Sequence, residues 1–281
     1  MTFLEISGIG VGIDSGLCKL ARFTTFLSNR QGKPDISVRL HSVARIYKPQ
    51  GTLLLDNNIK WILKTMDKNG FALYICAEKS EEIIALLDVD ENWTDASFFY
   101  LENPVHTQAI LNGRMDEALF CNCLLNHMGI VIHASAIKWE GKSFLFAAPS
   151  GTGKSTQAGL WNTYMGAVIL NDDSPAVRLQ GDQIIVYGTP WGGKASIFIN
   201  DHAPLTAIFI LEQSMENTIR QLSNREAAGR LLPRCYLPYY HPKRMDTAIG
   251  LADRIISTTP VFLLNCRPDR DSVELVYQCI K

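Results

Sequence analysis

The chain has 281 residues and a net charge of −1, with 47% hydrophobic and 20% charged residues, which is ordinary globular usage. The near-neutral charge provides no field that would attract nucleic acid or an anionic membrane. No apolar run approaches the ~18 residues of a membrane helix, and no basic leader-like segment opens the chain, so a cytoplasmic protein without nucleic-acid or membrane partners is expected.

The first part of the chain, residues 1–105, has a strand-rich pattern. Short runs of branched and aromatic residues recur at residues 36–40, 43–47, 52–55, 59–63 and 71–76, and they predict an antiparallel sheet. Gly8, Gly10 and Gly12 do not match the dinucleotide-binding fingerprint and are interpreted as glycines in a bent strand. Since no charged constellation in this part suggests catalysis, we expect it to form a platform for a substrate or a partner.

A helical pattern follows over residues 106–128, with Met115, Leu119 and Cys123 on one face. This helix is predicted to bridge two halves of the chain. The resulting division is a β-rich substrate or partner domain with its bridging helix at residues 1–127, and a second domain at residues 128–281.

Residues 148–155, which we call the glycine loop, read Ala-Pro-Ser-Gly-Thr-Gly-Lys-Ser. An apolar, strand-like run precedes the loop and a helical spacing follows it, as in a phosphate-binding loop. Glycines allow the backbone to turn tightly and to approach a ligand, and the helix directs its positive end at the phosphates. A chance match is the alternative, which the strand, the helix and the intact Gly-Lys-Ser disfavour. The predicted nucleotide-binding residues are Ser150, Gly151, Thr152, Gly153, Lys154, Ser155 and Thr156.

The run before the loop has a predicted hairpin partner. Residues 129–139 read as one strand, residues 140–142 as a turn, and residues 143–147 as the strand that leads into the loop. The sheet around the loop is therefore expected to be mixed. His133 falls on the partner strand, where it is either a satisfied core residue or a functional one.

Two adjacent carboxylates, Asp172 and Asp173, end the apolar run that follows the loop and its helix. A rigid strand that ends in an acid close to Mg²⁺ is a recurrent feature of phosphoryl-transfer enzymes. Two such acids could divide the work, one holding the metal and the other accepting a proton. The alternative is an acidic surface turn, which Asp-Asp-Ser-Pro also resembles.

A second unusual loop comes later. Residues 189–194 read Thr-Pro-Trp-Gly-Gly-Lys, which combines an aromatic ring, a flexible backbone and a cation. We predict a loop that serves the acceptor or the phosphates through Trp191, Gly192, Gly193 and Lys194. Further candidates for phosphate contacts are Arg230, Arg234 and Arg267, for which solvated surface arginines are the alternative.

Taken together, His133, the glycine loop and Asp172-Asp173 resemble the catalytic domain of HPr kinase/phosphorylase, whose nucleotide core is similar to that of phosphoenolpyruvate carboxykinase. The resemblance covers residues 128–281. Ala148 stands in place of the first loop glycine, and residues 188–194 stand where HPr kinase carries its Glu-Arg-Gly signature. The chain therefore looks closer to the relatives that modify peptides or small molecules.

The resemblance implies an α/β fold, a mixed-sheet P-loop kinase domain preceded by a β-rich domain, and it implies the cofactors ATP and Mg²⁺. The function expected is phosphorylation of a serine or threonine hydroxyl in a peptide or a small molecule. The implied catalytic residues are Asp172 as base, His133 and Lys154, with Ser155 and Asp173 as metal ligands. The two aspartates could exchange roles. A non-catalytic nucleotide-dependent switch or assembly protein is the alternative function.

Overall fold

The computed structural model describes residues 1–14, 21–56, 58–64, 69–101 and 114–281. The chain is mixed α/β and divides into two compact units, Met1–Asn126 and His127–Lys281. Within the described ranges, no helix has both the length and the apolar character needed to cross a membrane.

The first unit is built on a sheet of eight described strands in the order β1-β2-β3-β8-β7-β6-β5-β4. The strands are β1 (Thr2–Ile6), β2 (Ile9–Asp14), β3 (Ile36–Val43), β4 (Gly51–Asp56), β5 (Lys60–Lys64), β6 (Gly70–Cys76), β7 (Ile83–Asp90) and β8 (Asp95–Leu101). The predicted antiparallel sheet is wrong in part, because β3 runs parallel to both β2 and β8. The remaining strand pairs are antiparallel.

Two helical segments are described in the first unit, a 3₁₀ helix at Ala21–Phe26 and the helix α1 at Met115–Asn126. Residues 106–113 of the predicted bridging helix lie outside the described residues. Most of α1 is buried, including Leu119 and Cys123, as the apolar face predicted there requires.

The second unit holds the predicted site. Its strands are β9 (Gly129–Val131), β10 (Ala134–Trp139), β11 (Lys142–Ala147), β12 (Val168–Asn171), β13 (Ala176–Gln180), β14 (Gln183–Tyr187), β15 (His202–Gln213), β16 (Thr218–Gln221) and β17 (Val261–Cys266). Its helices are α2 (Lys154–Met165), α3 (Asn224–Leu231), a 3₁₀ helix (Leu232–Arg234), α4 (Pro242–Thr258) and α5 (Arg270–Ile280).

The sheet of the second unit is mixed, as predicted. β11, which leads into the glycine loop, pairs antiparallel with β10 and parallel with β15, and β15 continues the parallel order to β17. The amino-terminal part of β15 pairs antiparallel with β14, so this long strand belongs to both parts of the sheet.

An aromatic core fixes α2 against the strand that feeds the loop. Phe144, Phe146, Phe209 and Trp161 are fully buried, with the ring centroids of Phe146 and Phe209 5.6 Å apart and those of Phe144 and Trp161 5.9 Å apart. Each large buried ring stabilises the fold through the apolar area that it removes from water. Because strand and helix are both anchored in this core, the loop between them has two rigid ends.

The prediction of one continuous strand over residues 129–139 is wrong. The chain pairs with β13 up to Val131, and from Ala134 it pairs with β11 and β12 instead. His133 lies at the break between these two pairings. The strict alternation of faces expected along a single strand therefore does not extend through His133. The direction of the His133 side chain is set by its tertiary contacts instead.

The helix α3 begins with a capping box. The Ser223 side chain accepts from the Glu226 backbone N–H, and the Glu226 side chain accepts from the Ser223 N–H. The Arg220 guanidinium, together with Ser223, lowers the pKa of Glu226 to about 2. This capped helix leads directly into the 3₁₀ helix that carries Arg234.

Replacing Ser223 with Ala should lower the free energy of unfolding by about 1 kcal/mol, because the N-cap loses its acceptor oxygen. Ser223→Asp keeps an acceptor and should lose much less. Urea denaturation followed by circular dichroism compares the two variants. Equal stability of Ser223→Ala and the parent protein would show that the cap contributes nothing to the helix.

Candidate functional site

The glycine loop joins β11 to α2 through two residues with positive φ. Gly151 has a φ of 81° and Gly153 a φ of 113°, values that strain a residue with a side chain. Apart from the adjoining residues, no described atom lies within 4 Å of the position that a Cβ would take at either glycine, so backbone conformation, rather than space, accounts for glycine there.

The first turn of α2 faces the same loop. Gly153 is the N-cap and supplies no side-chain acceptor, so N–H groups of this turn are left for another acceptor. Ser155 and Thr156 are exposed at this helix start, and Ser150 is exposed in the loop. This arrangement suits an anion, which the helix dipole also favours.

Lys154 is folded back into the loop. It is only 7% exposed, and its Nζ lies 3.2 Å from Ala148 O, 3.4 Å from Pro149 O and 2.9 Å from His133 Nε2. Burial lowers the pKa of Lys154; the charge of Asp173 acts in the opposite direction, and that of Arg234 adds to the lowering. The ammonium group is thus held by neutral acceptors of the loop.

His133 links Lys154 to the carboxylates. Its Nδ1 lies 3.2 Å from Asp173 Oδ1, while its Nε2 contacts Lys154. The register explains this placement, because Ala134 pairs with Ala147 and the preceding residue therefore lies beside the start of the glycine loop. The His133 side chain is 37% exposed, so it is not a core residue, and both of these contacts are with predicted site residues.

The two aspartates differ in their surroundings. Asp172 is 3% exposed, and its Oδ1 accepts from the Gly193 N–H at 2.7 Å. Its Oδ2 is buried and has no hydrogen-bond partner among the described residues. Asp173 instead pairs with His133. A buried carboxylate oxygen without a partner carries a desolvation cost, and such a group is more typical of a functional site than of an acidic surface turn.

Asn171 organises the turn that carries both aspartates, a role that sequence reasoning did not assign. Its Oδ1 accepts from the N–H groups of Asp173 at 2.8 Å and Ser174 at 2.7 Å. Its Nδ2 donates to Thr189 O at 3.0 Å and to Trp191 O at 3.2 Å. A fully buried amide that satisfies two loops at once fixes their relative position. The one available signal was that Asn directly precedes the two acids, since Asn favours such turns.

The loop at residues 189–194 lies against Asp172. A Cβ added at Gly192 would be 3.0 Å from Asp172 Oδ1, and one added at Gly193 would be 3.4 Å from Asp172 Oδ2. The pair of glycines therefore allows the backbone to cover the carboxylate closely. Trp191 is 5% exposed, so its ring is largely buried, whereas Lys194 is exposed.

Two cavities flank the glycine loop. One of about 460 Å³ extends toward Arg230 and Arg234, and one of about 650 Å³ extends past Met215 to Arg267. Arg230 forms an ion pair with Glu212, and Arg267 pairs with Asp269 at 2.8 Å. The loop thus has open space on both sides, which suits a ligand that extends across it.

The described residues contain no group of three or more His, Cys, Asp and Glu side chains arranged to hold a metal ion. The site residues still fit Mg²⁺, because this ion is usually bound by only one or two carboxylates together with substrate phosphates. The unpartnered Asp172 Oδ2, the neighbouring Asp173 and the exposed Ser155 hydroxyl are oxygen groups of the required kind.

Comparisons with known proteins give a short set of findings. A family model described as SynChlorMet cassette protein ScmC matches residues 106–237, which is less than half of the chain but includes every predicted site residue except the candidate Arg267. No curated protein matches the chain significantly. A solved structure of the HPr(Ser) kinase/phosphatase from Coxiella burnetii is similar at 12% identity and a TM-score of 0.31, over 53% of this chain and 95% of that chain. This similarity is distant, so the function proposed next rests on the geometry of the site.

Proposed function

We propose that the chain is an ATP-dependent phosphotransferase that phosphorylates a serine or threonine hydroxyl of a peptide or a small molecule. The observation that carries the proposal is the continuous set of contacts from Lys154 through His133 to Asp173, with Asp172 next to it. The glycine loop, which provides backbone N–H groups and a lysine, supports a role in binding phosphate.

In this reaction the acceptor oxygen forms a bond to the γ-phosphorus as the bond from that phosphorus to the bridging oxygen breaks, and ADP leaves. The hydroxyl proton passes to Asp172, whose Oδ2 has no hydrogen-bond partner to exchange. Bound Mg²⁺, for which Ser155 and Asp173 are the proposed ligands, would supply neutralisation of phosphate charge. His133 orients Asp173 and separates its charge from that of Lys154.

Lys154 has partners in the loop that phosphate oxygens could replace. Its contacts to Ala148 O and Pro149 O are 3.2 Å and 3.4 Å long, which is long for a charged donor. Phosphate oxygens form shorter and stronger bonds with an ammonium group, so nucleotide binding would draw Nζ from the loop carbonyls toward the phosphates.

The first unit, Met1–Asn126, is proposed to recognise the acceptor, because every predicted phosphate and metal residue falls in the second unit. A non-catalytic nucleotide switch is the alternative function. The unpartnered oxygen of Asp172 favours the enzyme, since a switch has no need of a proton acceptor.

Replacing Lys154 with Ala should abolish measurable binding of Mg-ATP, because no other lysine lies within the glycine loop. Lys142, which is exposed at the start of β11, provides the matched control, and Lys142→Ala should bind normally. Titration calorimetry measures binding, and thermal melting verifies that both variants are folded. Normal affinity in folded Lys154→Ala would show that the nucleotide binds elsewhere or not at all.

Replacing Asp172 with Asn should lower turnover by about 10² or more while nucleotide still binds, because the general base is lost. The asparagine retains an oxygen for the Gly193 N–H, so the loop should stay in place. Asp173→Asn should instead raise the Mg²⁺ concentration that is needed for half-maximal turnover. The measurement is label transferred from γ-labelled ATP to acceptors in a cell extract.

The outcomes of this pair of variants separate the possible roles. Exchanged phenotypes would exchange the roles of the two aspartates and leave the kinase proposal intact. If both variants keep turnover within about threefold of the parent protein, far less than the loss expected for a base, the proposal of a kinase is wrong.

A further inference from the structure

The cavity of about 460 Å³ beside the glycine loop has an uneven distribution of charge. Its lining includes the loop residues from Ala148 to Thr152 and three charged residues, Glu212, Arg230 and Arg234. Glu212 and Arg230 form an ion pair with each other. Arg234 has no ion-pair partner among the residues that the structure describes, so the cavity retains one uncompensated positive charge.

The backbone of Arg234 is fixed to the same frame as the predicted site. Its carbonyl accepts from the His133 N–H at 2.7 Å, and the Tyr236 N–H donates to Val131 O at 2.9 Å. Ile132 and Cys235 form an isolated bridge between the same two segments. The 3₁₀ helix that ends in Arg234 is therefore attached to the chain just before His133, and its position is coupled to the position of that histidine.

The positive charge of Arg234 also acts on the lysine of the glycine loop, since it contributes to the lowered pKa of Lys154. Two cations that repel each other are stabilised when an anion binds between them. A guanidinium group suits a phosphoryl group in particular, since its planar donors can bind two oxygens together.

Building on the proposed phosphotransferase activity, we infer that Arg234 binds the terminal phosphoryl group of the nucleoside triphosphate from the cavity beside the glycine loop, and that Arg230 does not. The inference makes Arg234 a catalytic residue, since it would contact the group that is transferred. It also assigns this cavity to the phosphoryl and acceptor side of the loop.

The test compares Arg234→Gln with the double variant Arg230→Gln, Glu212→Gln, whose changed side chains lie in the same cavity. Titration calorimetry with ATP, ADP and inorganic tripolyphosphate, each at one Mg²⁺ concentration and ionic strength, measures affinity. Arg234→Gln should weaken ATP and tripolyphosphate by about tenfold or more, as expected for loss of a hydrogen bond between charged groups, and should affect ADP much less. The double variant Arg230→Gln, Glu212→Gln removes both charges of the ion pair and leaves the charge of Arg234, so it should stay within about threefold of the parent protein for all three ligands.

Arg234→Lys is the control for a folding defect. It keeps the positive charge, so it should recover part of the affinity for tripolyphosphate that Arg234→Gln loses. The inference is overturned if Arg234→Gln binds ATP as the parent protein does, or if it weakens ATP and ADP equally. Either result is compatible with the proposed function, provided that Lys154→Ala abolishes the binding of Mg-ATP. If the parent protein binds none of the three ligands, both the inference and the proposed function are wrong.

Discussion

The ammonium group of Lys154 is the constraint on which the rest of the site depends. A lysine that is 7% exposed must find partners inside the protein, because a buried charge without hydrogen bonds is very unfavourable. The turn at Gly151 and Gly153 brings the carbonyls of Ala148 and Pro149 within reach, and the break before β10 brings His133. The glycine loop, the break between β9 and β10 and the position of His133 therefore all serve to provide acceptors for this one buried ammonium group.

The carboxylates depend on a second buried polar group, the amide of Asn171. It connects the turn after β12 with the segment that begins at Thr189, and the Thr189 hydroxyl in turn donates to Ser174 O at 2.8 Å. Buried polar networks of this kind specify a single arrangement when every member is satisfied. Here the polar groups of Asn171 and Thr189 have hydrogen-bond partners, whereas Asp172 Oδ2 has none among the described residues. Asp172 is the residue that the proposed chemistry uses as the proton acceptor.

The sequence predicted the elements whose signals are local. The glycine loop and the hairpin before it each follow from residues close together in the chain, and the structure has the corresponding turn and strand pair. The loop's role in binding nucleotide stays a prediction. The break at His133, the burial of Trp191 and the parallel pairing of β3 depend on partners far along the chain. Periodicity within a window does not contain that information, so these features could not be predicted.

The cover over Asp172 has a consequence for the proposed reaction. Gly193 N–H holds one oxygen of the carboxylate, and the other oxygen has almost no exposed surface, so an acceptor hydroxyl cannot reach it in this conformation. The segment around Gly192 and Gly193 would have to move before proton transfer, as loops that close over active sites do in many enzymes. Two adjacent glycines lower the barrier to such a change, because they have no side chains to repack. Part of the acceptor's binding energy would be used to open this cover, which in the proposed enzyme would limit transfer of the phosphoryl group to water when no acceptor is present.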